Sequence, residues 1–297
     1  MAVGDLITEP YQHEYDGELL GPDTSWGIES VDGWDTLPDL DTADYPLAGT
    51  HGSIPGTALL RGRRLAMTLY LEHDAGTLTD ADIQAEVNRL KRLTQPRSTE
   101  LELVTMRRDG TKVLTFARPV RRSLPTDLDF VYGSARAAIE WSSSDPVVYG
   151  VELTSTVVPV FVGSGGLSYP VTYDKDYGAS GVGLTTDVPN DGDWETWPRF
   201  VITGPSSGTV TPVKIENVTT GEDITFSGLT IPAGSTLVID THPSRRTVLF
   251  TDGANRWNTV AGSAFWPIAP GGAALRFRAS GDVVGVTVTA QTRDAYL

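Results

Sequence analysis

The sequence predicts a mainly β protein of two domains: a strand-rich first domain with one helix, residues 1–152, and a β-sandwich or jelly roll, residues 153–297. Three observations predict it. The chain has 297 residues, 39% hydrophobic and 21% charged. That is a globular composition, and the length of about two domains at roughly 150 residues each. A convincing helical period occurs once, over about 80–94. After about residue 155 the helix signals vanish and short β-branched runs recur between turns.

Residues 1–60 alternate acidic side chains with Gly, Pro and single aromatics such as Tyr15, Trp26 and Trp34. This predicts an irregular segment that wraps a core or reaches to a neighbour. Leu65, Met67, Leu69 and Leu71 fall on one face of a strand. Thr79 then opens the helix as its N-cap, with Asp82 in capping-box position. Ile83, Val87, Leu90 and Leu93 form its apolar stripe, and Pro96 ends it. Asp80 and Asp82 lie at the positive end of the helix dipole and Arg89, Lys91 and Arg92 at the negative end, so dipole complementarity accounts for the cationic last turn.

A hairpin over about 101–117 follows. Asp109-Gly110 sits between its strands, a dipeptide suited to a two-residue type I′ turn. Further strands end in Ala137-Ala138-Ile139-Glu140-Trp141. Residues 142–146 break the pattern and 147–151 resume extended. In the second domain the β-branched runs are 199–203, 210–218, 223–226, 235–240, 247–251, 274–278 and 284–290, with Thr220-Gly221 and Asp252-Gly253 as turn signals. Residues 163–193 are rich in Gly and Asp and predict a long loop.

Several function classes are disfavoured. With no cysteine, there is no disulfide, thiolate metal site or cysteine nucleophile. The four histidines, His13, His51, His73 and His242, are too dispersed for a zinc site. Gly163-Ser164-Gly165-Gly166 is not a nucleophile elbow. Gly178, Gly181 and Gly183 do not form a dinucleotide fingerprint. Asp187, Asn190, Asp191, Asp193 and Glu195 are dense enough for a calcium loop, but they lack EF-hand spacing, and a solvated polar turn is the plainer reading. Nothing picks out a carboxylate pair for glycoside hydrolysis. Asn217-Val218-Thr219 is a sequon by letters alone. Trp194, Trp197, Trp257 and Trp266 read as core or interface residues before they read as a sugar platform. No enzyme activity, cofactor or metal is expected. The N-terminal residues lack signal-peptide character, and no stretch approaches 18 apolar residues. These predict a chain made in a cytoplasm, without membrane insertion.

The net charge of −15 is uneven. Residues 1–60 carry twelve acidic and no basic side chains; residues 61–150 net +2 and residues 151–297 net −5. Such a chain is not expected to grip DNA by phosphate neutralisation. The acidic start reads as a solvated face, or as a surface that must not stick to a polyanion.

Four stretches together resemble the distal tail proteins of long-tailed bacteriophages. The first is Ile139-Glu140-Trp141-Ser142-Ser143-Ser144-Asp145-Pro146-Val147-Val148-Tyr149, a last strand running into an Asp-Pro turn. The second is Gly165-Gly166-Leu167-Ser168-Tyr169-Pro170 with Tyr173 and Tyr177-Gly178. The third is Asn190-Asp191-Gly192-Asp193, then Pro198-Arg199-Phe200-Val201-Ile202-Thr203-Gly204-Pro205. The fourth is Ile231-Pro232-Ala233-Gly234-Ser235-Thr236-Leu237-Val238-Ile239-Asp240-Thr241, followed by Arg246-Thr247-Val248-Leu249-Phe250, Ala264-Phe265-Trp266-Pro267-Ile268 and Pro270-Gly271-Gly272.

The resemblance implies a split β-barrel with one helix as the first domain and a galectin-like β-sandwich as the second. It implies a hexameric ring of identical subunits around a DNA channel. The ring would join the tail tube protein to the tail hub protein at the virion tail tip and, in some phages, hold a receptor-binding protein or fibre. Residues 1–60 do not align with the family pattern, and no carbohydrate-binding insert is present. Asp32, Asp35, Asp39 and Asp41 are candidates for a channel-lining or inter-subunit segment. A neutral to acidic channel face is expected, with the outward orientation of these carboxylates left open. The alternative reading is a carbohydrate-binding, host-adhesion module.

Overall fold

A computed structural model describes residues 2–71, 79–131, 134–162, 184–261 and 265–297. The Gly163 to Gly166 run, Gly178, Gly181, Gly183, His73, Ala264 and the stretch from Gly165 to Tyr177 lie outside these residues, as does most of the expected 163–193 loop. The described chain is mainly β, as the sequence predicts. It divides into two compact units, Met1–Val151 with Tyr296–Leu297, and Glu152–Ala295.

The first unit opens with β1 (His13–Tyr15), β2 (Glu18–Leu20) and β3 (Trp26–Asp32). Four short strands follow: β4 (Leu40–Thr42), β5 (Tyr45–Pro46), β6 (Ser53–Ile54) and β7 (Ala58–Leu60). Then come β8 (Arg64–Leu71), α1 (Asp80–Leu93), β9 (Leu101–Met106), β10 (Lys112–Ser123), the short α2 (Leu128–Val131), β11 (Arg136–Ser142) and β12 (Val148–Gly150). The main sheet runs β2-β1-β9-β10-β11-β8-β3, and β12 also pairs with β10. The long β10 belongs to two half-sheets. Its first half pairs with β9, its second with β11, and the register shifts between Pro119 and Arg121. A bulge there bends the strand and lets one ladder wrap a core from two sides.

Leu65, Met67, Leu69 and Leu71 all point into that core, as their alternation requires. Helix α1 buries Ile83, Val87, Leu90 and Leu93 in the same cluster, and its Thr79–Asp82 capping box is formed in both directions. The expected turn type at Asp109-Gly110 is corrected. The Gly110 amide donates to the Arg107 carbonyl and the Arg107 amide to the Thr111 carbonyl, and of the two turn residues only Gly110 has positive φ, at 88°. This is a longer loop built on a type I turn with glycine in the left-handed position.

The expectation of an irregular segment over 1–60 is also corrected. Residues up to Trp34 build three strands of the main sheet and give Tyr15, Leu20, Trp26 and Trp34 to the core. Single aromatics between turns show no period, yet each fills a core position when paired to a distant strand: β1 to β9, β3 to β8.

The second unit contains β13 (Thr154–Val157), β14 (Val160–Val162), β15 (Thr186–Val188), β16 (Arg199–Thr203), β17 (Thr209–Asn217), β18 (Glu222–Thr225), β19 (Ile231–Pro232), β20 (Thr236–Asp240), β21 (Thr247–Phe250), β22 (Ala273–Gly281) and β23 (Thr287–Thr292), with a 3-10 turn at Trp257–Thr259. One sheet runs β13-β23-β16-β20-β21; the other runs β14-β22-β17-β18, with β15 on β22 and β19 on β17. Alternate residues of both sheets fill one core, with Phe200, Ile202, Leu237, Ile239, Phe277 and Val288 at or near zero exposure. That is sandwich packing.

Candidate functional site: an exposed β arm on a buried arginine

Strands β4 to β7 form a nested hairpin. β4 pairs with β7 from Leu40↔Leu60 to Thr42↔Ala58, and further out β5 pairs with β6 through Tyr45↔Ile54. Every residue from Asp39 to Leu59 is exposed. Leu37, Leu40, Tyr45, Leu47, Ile54 and Leu59 therefore present apolar side chains to solvent. The hairpin carries Asp39, Asp41 and Asp44 and no Lys or Arg before Arg61. We call residues 37–60 the arm.

Both ends of the arm are held at its base. The Arg63 side chain is 1% exposed. Its Nη1 donates to the carbonyls of Gly33 (2.5 Å), Trp34 (2.9 Å) and Thr36 (2.9 Å), and its Nε donates to Pro146 (2.8 Å). Burial lowers the Arg63 pKa, and the Asp35 and Asp145 carboxylates oppose that shift. The backbone is pressed together at three glycines. A Cβ on Gly33 would lie 2.2 Å from the Arg64 carbonyl, one on Gly62 2.4 Å from the Ser143 carbonyl, and one on Gly56 2.1 Å from the Ala43 carbonyl. Gly33 also has φ +106°, open to glycine and costly to other residues. Beside this base, His13 is buried. Its Nε2 accepts from Trp34 Nε1 (3.1 Å), and its Nδ1 lies 3.0 Å from the Tyr11 carbonyl. Desolvation lowers its pKa to about 4, against that carbonyl bond, so the ring is neutral at pH 7.

The four candidate aspartates lie on this arm and at its root. The Asp32 carboxylate accepts from the Thr36 hydroxyl. Asp35 pairs with the half-buried Arg107 at 3.1 Å and Asp41 with the exposed Arg61 at 3.4 Å, both carboxylates being exposed. The Asp39 carbonyl accepts the Arg61 amide. The segment is thus one element. Its missed anchor, Arg63, had one legible signal: it is among the first basic residues after sixty without one.

The other candidates separate. In the acidic cluster over 187–195, read as a polar turn in preference to a calcium loop, Asn190 is buried and ties backbone together, Nδ2 donating to the carbonyls of Trp194 and Ile268. No group of three or more His, Asp or Glu fit for a metal occurs among the described residues. Asn217 is buried, and its Oδ1 accepts the amides of Thr219 and Thr220. Trp266 is core, Trp194 and Trp197 are half-buried, and Trp257 is exposed. Glu216 gathers Lys214 (2.5 Å), Arg276 (2.5 Å) and Arg278 (2.8 Å). Burial alone would raise its pKa; these three cations outweigh that and hold it at about 2.

Residues 191–293 match a family model described as the siphovirus-type tail component, C-terminal domain. The SPP1 Dit protein, whose crystal structure is described as a paradigm of the hub adsorption apparatus in phages infecting Gram-positive bacteria, superposes with TM-score 0.65 at 15% identity, covering 96% of this chain and 99% of that one. A chain of the phage P2 baseplate, in its activated conformation with calcium, superposes with TM-score 0.52 at 13% identity, covering 94% and 97%. No curated protein matches the chain. Residues 191–293 thus match a siphovirus-type tail component domain, and the chain shares its fold with the SPP1 Dit and P2 baseplate chains. The resemblance to distal tail proteins is borne out by the family match and the shared fold.

Proposed function

We propose that this protein is a distal tail protein that closes into a six-membered ring, joining the tail tube to the baseplate hub and leaving a channel for DNA. The observation that carries the reading is the arm. A two-stranded ribbon with both faces in water has no core of its own and is marginal in isolation. Here it carries six large apolar side chains and a clamped base. Covering such a surface with an identical neighbour makes a head-to-tail contact, and such contacts close into rings when the rotation permits. The partners of the role are further copies, the tail tube protein, the hub protein and, at the tip, a receptor-binding protein or fibre. The role is mechanical and has no catalytic step.

The test is electron microscopy and mass measurement of the purified chain, alone and with its tail partners. Rings are expected for the wild type. Replacing residues 43–57 by a two-residue Asn-Gly turn should leave monomers that remain folded. A wild-type chain that stays monomeric even beside its partners overturns the ring. Rings that persist without the arm overturn the arm's part in it.

A further inference from the structure

The second unit carries a surface feature separate in sequence from the arm. Trp257, in the 3-10 turn, is 45% exposed and stacks on Phe265 at 5.5 Å between centroids with planes 22° apart. The Arg246 guanidinium lies 5.6 Å from the Phe265 ring centre and 5.9 Å from that of Trp197. The Arg256 guanidinium, next in chain to Trp257, lies 5.3 Å from the Phe250 ring centre. The Arg256 amide donates to the Val248 carbonyl, which holds the turn against edge strand β21. Arg246 immediately precedes that strand, so the two cations and the exposed indole form one patch.

Among the described arginines laid over aromatic rings, Arg246 and Arg256 differ from the rest in their partners. Lys214, Arg276 and Arg278 are spent on Glu216, and Arg245 faces Asp240. Arg246 and Arg256 have no carboxylate partner among the described residues, in a protein of net charge −15. A guanidinium laid over an aromatic ring keeps its edge donors pointing outward, pre-set for two-point contact with a carboxylate or phosphate. An exposed indole held rigid by stacking offers an apolar face at low entropic cost.

We propose that this patch binds an anionic saccharide. The sugar ring lies on Trp257, and its carboxylate or phosphate is held by Arg246 and Arg256. An acidic peptide would satisfy the arginines but leave the indole face without its flat partner, so the saccharide is favoured.

The test titrates the full-length protein against hyaluronan hexasaccharide as the carboxylate probe and glucose 6-phosphate as the phosphate probe, read by calorimetry and saturation-transfer NMR. Cellohexaose and polyglutamate serve as the neutral-sugar and sugar-free controls. Saturable binding of at least one anionic saccharide is expected, and which one binds tells carboxylate from phosphate. Trp257→Ala, and the pair Arg246→Gln with Arg256→Gln, should each weaken binding about tenfold or more, the scale of one stacking or charge-assisted contact. Trp257→Phe should retain most of it. Unchanged melting confirms that each variant folds; if the glutamine pair does not fold, Arg246→Lys, which keeps charge but loses the planar fork, takes its place and should also weaken binding. The proposal is overturned if neither anionic probe binds, if cellohexaose or polyglutamate binds as well as the anionic sugar, or if binding survives these changes.

Discussion

His13 and Arg63 are both polar, both buried at the root of the arm, and opposite in protonation logic. His13 is held neutral, its pKa near 4 against an ordinary 6.5. Between those values the unfolded chain binds a proton that the folded chain does not, so folding stability rises with pH there. The contribution is complete above pH 6.5 and lost as pH falls to about 4, a change of about 3 kcal/mol. Urea melts from pH 7 to pH 4 should show this slope in the wild type and a flatter one in His13→Gln, which keeps a donor and an acceptor without titrating. Equal slopes would mean that His13 is not the titrating group. Arg63 is different, because its charge is spread over four backbone carbonyls. Arg63→Met leaves those carbonyls without their donor and should cost about 3 kcal/mol or more. Arg63→Lys should recover only part, since an ammonium cannot reproduce the fork. Thermal melts of the three proteins decide it, and a Met variant that melts like the wild type refutes the clamp.

Elements were legible in the sequence where their signals are local. Helix α1 lies over Asp80–Leu93 because a capping box, a four-residue apolar stripe and a terminating Pro96 agree within one stretch of chain. Strand β8 likewise follows from simple alternation. The β9–β10 hairpin was legible as a pair but not in its turn, because Asp-Gly serves either the two-residue I′ loop or the longer loop with one left-handed glycine. The choice depends on register, here Arg107 opposite Thr111. Gly110 has φ +88° and open space where a Cβ would go, so only the backbone resists substitution. Gly110→Val should cost about 1–2 kcal/mol, and Gly110→Asn distinctly less. Chemical denaturation of both variants checks the order; no loss in the valine variant would place the turn elsewhere.

At the scale of the molecule, charge is the property to test. Asp35, Asp39 and Asp41 lie on the exposed arm and its root, and two of them pair with Arg107 and Arg61. The Asp41–Arg61 pair is exposed on both sides and contributes about 0–1 kcal/mol, so reversing Asp41 should barely move the melting temperature. Asp35 also faces the half-buried Arg107 and the buried Arg63, so reversing it should lower the melting temperature more. If the ring forms with these positions toward its channel, Asp35→Lys, Asp39→Lys and Asp41→Lys together should slow DNA ejection by drawing phosphates to the wall, over a screening distance of about 8 Å at physiological salt. Particles that assemble with this triple variant and eject at the wild-type rate exclude an acidic channel role for the segment.

The sequence by itself determined the fold class, helix α1, the main strands of the sandwich and the tail-protein resemblance. Each of these is written in a local period, a turn dipeptide or an ordered series of short motifs. Tertiary structure alone decided the fate of residues 1–60. Tyr15 and Trp26 carry no period, and their strands exist because β9 and β8, far along the chain, supply the hydrogen-bonding edges they complete. The same holds for the arm. Nothing within residues 37–60 says that they project; they do so because Arg63 gathers carbonyls from the start of the excursion and from Pro146, more than eighty residues away, and closes the core beneath it. A buried cation finds its acceptors in space, and spacing along the chain does not encode that.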